Sequence, residues 1–253
     1  MRFNAKKCYI LSVKGKSQYT YTLNGTELKS VKDNPYLGVQ FSNDLGWSTH
    51  IDKIAKKANS TIGFLRRNLR NCSTMCRQKA YLALVRSVLE YGAVVWDPHL
   101  QQDIDALERV QRRGVRFVTG DYKSRTPGCV TAMLSNQKLD TLQERRRQLR
   151  LTFLFKITAG KIPAIPADEF LVHQKPKRAI RAKKFIGCEA NNIIENQARN
   201  NTKCFEVGIS AKDTTQFRNS FFVRTLIEWN KLNNETACAG TVEEFRAKVA
   251  AAP

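Results

Sequence analysis

Residues 47–70 read WSTHIDKIAKKANSTIGFLRRNLR, and this stretch decides the fold class. Apolar residues recur at helical spacing and form one stripe: Ile51, Ile54, Ala55, Ala58, Ile62, Leu65 and Leu69. Ser48 or Thr49 is placed to cap the helix at its start. Basic residues fall largely opposite the stripe: Lys53, Lys56, Lys57 and Arg67. The pattern predicts a long amphipathic helix with a cationic outer face.

Similar apolar periodicity continues downstream and predicts three more helices. They run from about residue 74 to 95, from Ile104 to Gly120, and from Leu139 to Gly160. The second ends at Trp96-Asp97-Pro98, where a proline cannot continue a helix. Short links between amphipathic helices favour a helical bundle over residues 47–160.

The flanking segments have different patterns. Residues 7–42 indicate short strands, with a turn signal at Asn24-Gly25 and another interruption at Asn34-Pro35. Residues 161–184 form a proline-containing basic linker, and residues 185–253 a C-terminal helical region that includes the capping box Thr241-Val242-Glu243-Glu244. The predicted class is therefore α+β, predominantly α-helical, with a small β region at residues 1–46.

The charge balance points to a polyanionic partner. The chain of 253 residues has 43 Lys and Arg against 22 Asp and Glu, a formal net charge of +21. Nucleic acid is the leading candidate, and an anionic membrane surface is the alternative. No segment has the roughly 18 continuous apolar residues of a membrane span, and the N-terminus lacks a signal-peptide core, so we expect an intracellular protein, nuclear or cytoplasmic. Seven cysteines without a Cys-x-x-Cys pair predict no metal site.

Two further basic clusters accompany the one in the first helix. Arginines at spacings of three and four share a face opposite the core of the third helix: Arg109, Arg112, Arg113 and Arg116. Glu108 is placed to pair with Arg112. Three consecutive arginines, Arg145 to Arg147, with Arg150 spread around the fourth helix, so we expect that cluster to be partly structural. For the first cluster, phosphate binding is favoured over a merely solvated face because few acids lie nearby.

Several motifs in a shared order resemble the jockey-like non-LTR (LINE-type) retrotransposon reverse transcriptases. They begin with Asn4-Ala5-Lys6-Lys7-Cys8, Tyr36-Leu37-Gly38-Val39, Trp47 and His50-Ile51. They continue with Leu89-Glu90-Tyr91-Gly92, Val95-Trp96-Asp97-Pro98, Leu107-Glu108-x-Val110-Gln111-Arg112-Arg113, the segment 142–147, Asn219-Ser220-Phe221-Phe222 and Trp229-Asn230. The resemblance covers almost the whole chain and implies the end of the palm at residues 1–46 and a thumb-like bundle at 47–160.

The resemblance also implies residue roles. Tyr36, Leu37, Gly38 and Val39 would belong to the hairpin that grips the primer strand, or Leu37 and Val39 are simply core. Lys7 resembles the palm lysine that can protonate the leaving pyrophosphate, although a solvated lysine at a strand edge is the favoured reading. Tyr91, Trp96 and Trp229 are expected to pack in the core rather than stack on bases.

One absence decides the expected enzymology. Reverse transcriptases hold two Mg²⁺ ions with an aromatic-x-Asp-Asp turn and an earlier aspartate, and this sequence has no Asp-Asp pair. Asp103 and Asp105 point about 200° apart in a helical first turn and predict no nuclease. We expect a truncated polymerase with no cofactor in this chain, inactive alone, that retains binding of RNA–DNA hybrid or duplex. The alternative is a degenerate relic that serves as a protein-interaction scaffold; the oligomeric state and the role of residues 185–216 stay open.

Overall fold

The computed structural model describes residues 3–13, 19–172, 203–210 and 212–251. The chain divides into two compact units, residues 1–146 (unit 1) and 147–253 (unit 2), described separately below. The predicted basic run at residues 175–184 lies outside the described residues, as does most of the Asn-rich span at 189–203. Helices predominate and the strands are few and short, which confirms the α+β, predominantly helical class.

Unit 1 begins with short strands in pairs. Strand β1 (Tyr9–Ile10) pairs in parallel with β4 (Lys29–Ser30), and β2 (Thr22–Leu23) pairs antiparallel with β3 (Thr26–Glu27). The predicted Asn24-Gly25 turn joins β2 to β3 with φ values of 50° and 75°, as the common two-residue hairpin turn requires. Lys7, expected on a strand, instead ends an exposed 3₁₀ turn, Ala5–Lys7.

A second hairpin follows, formed by β5 (Asp33–Tyr36) and β6 (Val39–Ser42). The sequence predicts a break between strands at Asn34-Pro35, but these residues lie inside β5. Pro35 lies opposite Gln40 in the two-stranded pair, and an edge strand tolerates a residue without an N–H donor. The turn of this hairpin is Leu37-Gly38.

Helix α1 (Ser48–Asn68) has most of the predicted buried stripe: Ile51, Ile54, Ala55, Ala58, Ile62 and Leu65 are all buried. Leu69, the last residue of the predicted stripe, caps the end of the helix and is half-buried. The predicted side-chain cap is wrong. The N-cap residue is Trp47, which makes no capping hydrogen bond, and Ser48 Oγ instead donates to Asp103 Oδ2 at 2.8 Å. Ser48 therefore ties the start of α1 to α5 (Gln101–Thr119).

The predicted helix at residues 74–95 is not continuous. It consists of α2 (Thr74–Tyr81), a π-helical segment (Leu82–Arg86), α3 (Ser87–Glu90) and α4 (Ala93–Trp96). The break falls at Tyr91-Gly92, where Tyr91 is extended and Gly92 adopts a φ of 64°. Gly92 also permits close packing, since a Cβ there would lie 3.2 Å from Val39 Cγ2. Apolar periodicity continues through the break, which is why the sequence pattern concealed it.

Helices α5, α6 (Cys129–Asn136) and α7 (Leu142–Thr158) complete the bundle, and α6 was not predicted. Helix α5 buries Ile104, Leu107, Val110, Val115 and Val118. The Tyr81 ring of α2 fills the space above Gly114 of α5, where a Cβ would lie only 2.2 Å from Tyr81 Cε2. The division between the two units falls inside α7.

The described part of unit 2 contains most of α7, from residue 147 onward, and four short helices: α8 (Ala167–Phe170), α9 (Thr215–Arg218), α10 (Phe221–Trp229) and α11 (Asn234–Ala237). Its last described helix is α12 (Val242–Ala251), which opens with the predicted capping box: Glu244 N donates to Thr241 Oγ1 at 3.1 Å. The rings of Phe155, Trp229 and Phe245 stack in its core. None of the helices in the described ranges combines the length and the apolar character needed to cross a bilayer.

Candidate nucleic-acid interface

The Leu37-Gly38 turn has an unusual conformation for its sequence. Both residues have positive φ, 47° at Leu37 and 84° at Gly38. A leucine rarely adopts this conformation, and 74% of Leu37 is exposed to solvent. Gly38 is required twice, for its φ and because a Cβ would lie 3.1 Å from the Tyr91 ring. Tyr91 Oη donates a hydrogen bond to Leu37 O at 3.0 Å and so holds the turn in place.

Gln40 connects this hairpin to α1. Its backbone N–H donates to His50 Nδ1 at 3.2 Å, and its side-chain Nε2 donates to Asp33 Oδ1 at 2.6 Å. Lys53 Nζ donates in turn to Gln40 Oε1 at 3.1 Å. Gln40 is buried, so this network holds the hairpin and Lys53 in a fixed relation. No sequence pattern singles out Gln40, because its role depends on contacts ten and thirteen residues away.

The turn and α1 together line a cleft of about 450 Å³, which we call the hairpin-tip cleft. Its lining residues come from the hairpin, α1 and the α3 region: Gly38, His50, Lys53, Ile54, Lys57, Ser87, Val88 and Tyr91. No acidic side chain lines it. The Lys57 ammonium group makes no hydrogen bond or ion pair within the described part of the chain, so its charge is available to a ligand.

His50 lines this cleft and is 2% exposed. Burial and the nearby charge of Lys53 lower the pKa of its imidazole from the usual value. Because Nδ1 accepts the Gln40 N–H, the neutral ring carries its proton on Nε2. Nε2 has no hydrogen-bond partner among the described residues, and the ring packs edge-on against Trp96 at 5.1 Å.

The four basic residues predicted for α1 do not act as one set. Lys53 and Lys57 lie on the flank that faces the hairpin-tip cleft. Lys56 pairs with Asp52 on the surface, at 2.6 Å. Arg67 lines a different cavity near the end of α1, with Gly63, Arg66 and Arg70. Arg67 follows Lys53 by fourteen residues, or about 21 Å along the axis of α1, and this distance separates it from the cleft.

The arginines of α5 also divide into two groups. Arg109 and Arg112 are exposed and make no ion pair among the described residues, so the expected Glu108–Arg112 pair is absent there. Glu108 Oε1 accepts the backbone N–H of Gln143. Arg113 Nη1 donates to Asn59 Oδ1 of α1 at 3.1 Å. Arg116 instead holds a loop, since its two Nη atoms donate to Asp121 O at 3.2 Å and Ser124 O at 3.0 Å.

The cluster in α7 is structural. Arg145 forms a two-pronged contact with Glu90, which Arg86 also contacts at 2.9 Å. Arg146 Nε donates to Asp97 Oδ1 at 2.7 Å and is fully buried, and in unit 2 Arg150 Nη2 lies 2.8 Å from Glu228. Burial opposes ionisation of Glu90, but the hydrogen bonds from Arg145 and Arg86 hold its pKa below the usual value. Each of these arginines forms an ion pair within its own unit.

The three aromatic residues predicted to pack in the core differ in their exposure to solvent. Trp96 and Trp229 are buried, as expected, whereas Tyr91 was expected in the core but is 59% exposed beside the hairpin turn. Asp103 is buried and accepts the Ser48 hydrogen bond, and Asp105 is exposed and accepts one from Gln101. Among the described residues no group of three or more His, Cys, Asp or Glu side chains is arranged to hold a metal ion.

Comparisons of the chain with protein-family models, with curated proteins and with solved structures found no match.

Proposed function

We propose that unit 1 binds the sugar-phosphate backbone of duplex nucleic acid, as the thumb-like part of a non-LTR retrotransposon reverse transcriptase would hold its RNA–DNA template-primer. The observation that carries the proposal is the hairpin-tip cleft, where the backbone of a rigid turn and the cations Lys53 and Lys57 line one acid-free surface. Backbone groups and ammonium groups are the partners that phosphates commonly take, and they read no sequence.

The strain at Leu37 supports a ligand at this turn. A two-residue hairpin turn with positive φ at both positions favours Asn or Gly at the first position. Leu37 costs stability there and leaves an apolar side chain in water. A leucine that packs against the sugars of a bound strand accounts for both features.

Arg109, Arg112 and Arg113 form a separate cationic patch on α5, where Arg113 contacts Asn59 of α1. Their role is phosphate contact. The chain has no Asp-Asp pair, so the proposal is limited to holding nucleic acid and includes no nucleotide transfer.

A matched pair of substitutions tests the turn. Leu37→Asn keeps the left-handed conformation and removes the apolar side chain, so it should leave stability unchanged or slightly raised and weaken hybrid binding about threefold to tenfold. Leu45 has a φ of 56° and lies outside the Leu37-Gly38 turn, which makes Leu45→Asn the control with the same chemistry. Fluorescence anisotropy with a labelled RNA–DNA hybrid measures affinity, and thermal unfolding measures stability. Equal affinity of both variants and the parent would remove Leu37 from the interface.

The membrane alternative is tested with the same protein. Vesicles that contain phosphatidylserine and duplexes of several sequences are compared at one salt concentration. The proposal expects duplex and hybrid binding with little sequence preference, and weaker binding to vesicles. Stronger vesicle binding would contradict it.

A protein-interaction scaffold is the second candidate function. The observation that favours it is a set of exposed apolar residues in and after the π-helical segment: Leu84, Tyr91 and Val95. Monomeric proteins expose scattered apolar residues routinely, so this observation is weaker than the cleft. Loss of duplex binding with retention of a folded, self-associating chain would favour the scaffold.

A further inference from the structure

A second cavity, of about 810 Å³, opens near the end of α1. We call it the arginine pocket, and its lining residues are Gly63, Arg66, Arg67, Leu69, Arg70, Arg77, Phe117, Gly120 and Tyr122. Four guanidinium groups line it and no carboxylate does. Its volume falls within the range of small-molecule sites.

The arginines of this pocket differ from those of α7 in forming no ion pair with the described residues. Among the described residues, the side chains of Arg66, Arg67, Arg70 and Arg77 make no hydrogen bond and no ion pair. Arg66 instead lies over the Tyr122 ring, 4.4 Å from its centroid. Arg77 Nε is buried without a hydrogen-bond partner in the described chain, which costs free energy unless a ligand's field or hydrogen bonds compensate.

The backbone keeps these cations close together. Gly120 ends α5 with a φ of 76°, and a Cβ there would lie 2.8 Å from Arg77 Nη1, so the missing side chain makes room for the guanidinium. The Tyr122 loop is fixed by Arg116 and by Asp121, whose carboxylate accepts the N–H groups of Lys123 and Ser124. The hydrogen bond from the Ser124 hydroxyl, together with those from the two backbone N–H groups, lowers the pKa of Asp121 to about 2. The Asp121 carboxylate is therefore used to order the loop, and it does not line the pocket.

The helix dipoles offset only part of the positive charge of the four arginines. The C-terminal ends of α1 and α5 meet here, and each supplies about −0.5 of a charge. Four guanidinium groups carry four positive charges. The pocket therefore retains roughly three uncompensated positive charges, more than one diester phosphate within a strand would neutralise.

We infer that the arginine pocket binds a phosphate monoester, either the terminal phosphate of a nucleic-acid strand or a free nucleotide. A monoester has about −1.5 to −2 charge at pH 7 and three terminal oxygens, which suit several guanidinium forks at once. Arg66 follows Lys53 by thirteen residues, or about 20 Å along the axis of α1. The pocket thus lies apart from the hairpin-tip cleft and uses different side chains, and the inference does not depend on duplex binding there.

The test compares two single-stranded oligonucleotides that differ only in a 5′-phosphate or a 5′-hydroxyl, each labelled at the 3′ end. Anisotropy titrations of the full chain should show at least about tenfold tighter binding of the phosphorylated strand. Arg70→Gln/Arg77→Gln should abolish this preference. Arg77→Lys keeps the charge but lacks the planar fork, and should lose most of the preference while circular dichroism stays unchanged.

Competition separates the two sources of the phosphate. Displacement of the phosphorylated strand by millimolar nucleoside monophosphate indicates a nucleotide site, and resistance to it indicates a strand-end site. Lys53→Gln/Lys57→Gln is the matched control, and should keep the 5′-phosphate preference even where duplex binding is lost. Equal affinity for the two strand ends, or a preference that survives Arg70→Gln/Arg77→Gln in a folded protein, would overturn the inference.

Discussion

His50 shows how one buried residue can set the pH response of unit 1. Its pKa is lowered in the folded state by burial and by Lys53. The unfolded chain therefore binds a proton at His50 at a higher pH than the folded chain does. Because stability rises with pH wherever the unfolded state binds more protons, the contribution of His50 is complete above about pH 6.5 and declines as the pH falls toward the folded pKa.

We predict that replacing His50 changes the slope of the free energy of unfolding against pH. Between pH 7.5 and 5.5 the free energy of unfolding of the parent should fall, and in His50→Asn it should fall less, since asparagine does not titrate but its Oδ1 can accept the Gln40 N–H. Urea unfolding at several pH values measures both. Parallel pH profiles for the two proteins would show that His50 does not contribute.

Glu90 represents the buried ion pairs of unit 1. Its carboxylate forms ion pairs with both Arg86 and Arg145. Removal of the carboxylate charge leaves two guanidinium groups without a counter-charge in a largely buried site. Glu90→Gln should therefore lower the free energy of unfolding by about 3 kcal/mol. Asp52→Asn breaks an exposed pair with Lys56 and should cost less than about 1 kcal/mol. Equal losses in the two variants would contradict the distinction between buried and surface ion pairs.

At the level of elements, the sequence was most informative where the apolar period was long and uninterrupted. Helix α1 and helix α5 follow their predicted stripes because each buries one face along its whole length. The break at Gly92 was missed because the apolar pattern runs through it. The hairpin-tip cleft was predictable only in part: Lys53 and Lys57 stand out as exposed cations, whereas Gln40, His50 and Tyr91 reach the site through tertiary contacts that no local pattern encodes.

The packing of α2 on α5 gives a prediction at this scale. Gly114→Ala places a methyl group within the Tyr81 ring, so α5 must shift, and the free energy of unfolding should fall by about 1–3 kcal/mol. Gly63→Ala in α1 meets only the end of Arg67, at 3.7 Å, and should gain up to about 1 kcal/mol from helix propensity. Denaturant unfolding of both variants checks the opposite signs, and stabilisation by both would show that Tyr81 does not fill this space.

For the whole molecule, the central feature is a large positive charge that the fold neutralises in some places and leaves free in others. The α7 arginines are paired with acids, while Lys57, Arg109 and Arg112 have no ion-pair partner among the described residues. Net charge alone predicts binding to any polyanion. The arrangement in unit 1 supports a narrower proposal, that Lys53 and Lys57 contact phosphates beside the hairpin turn.

The salt dependence of duplex binding tests this claim most directly. Each phosphate contact releases close to one counterion, so Lys53→Gln/Lys57→Gln should lower the magnitude of the slope of log affinity against log salt by about 2. Lys212→Gln/Lys231→Gln removes the same charge from exposed positions of unit 2 and should leave the slope unchanged. If the Lys53/Lys57 variant keeps the parental slope while circular dichroism shows an intact fold, these lysines do not contact phosphates and the proposed duplex contact is wrong.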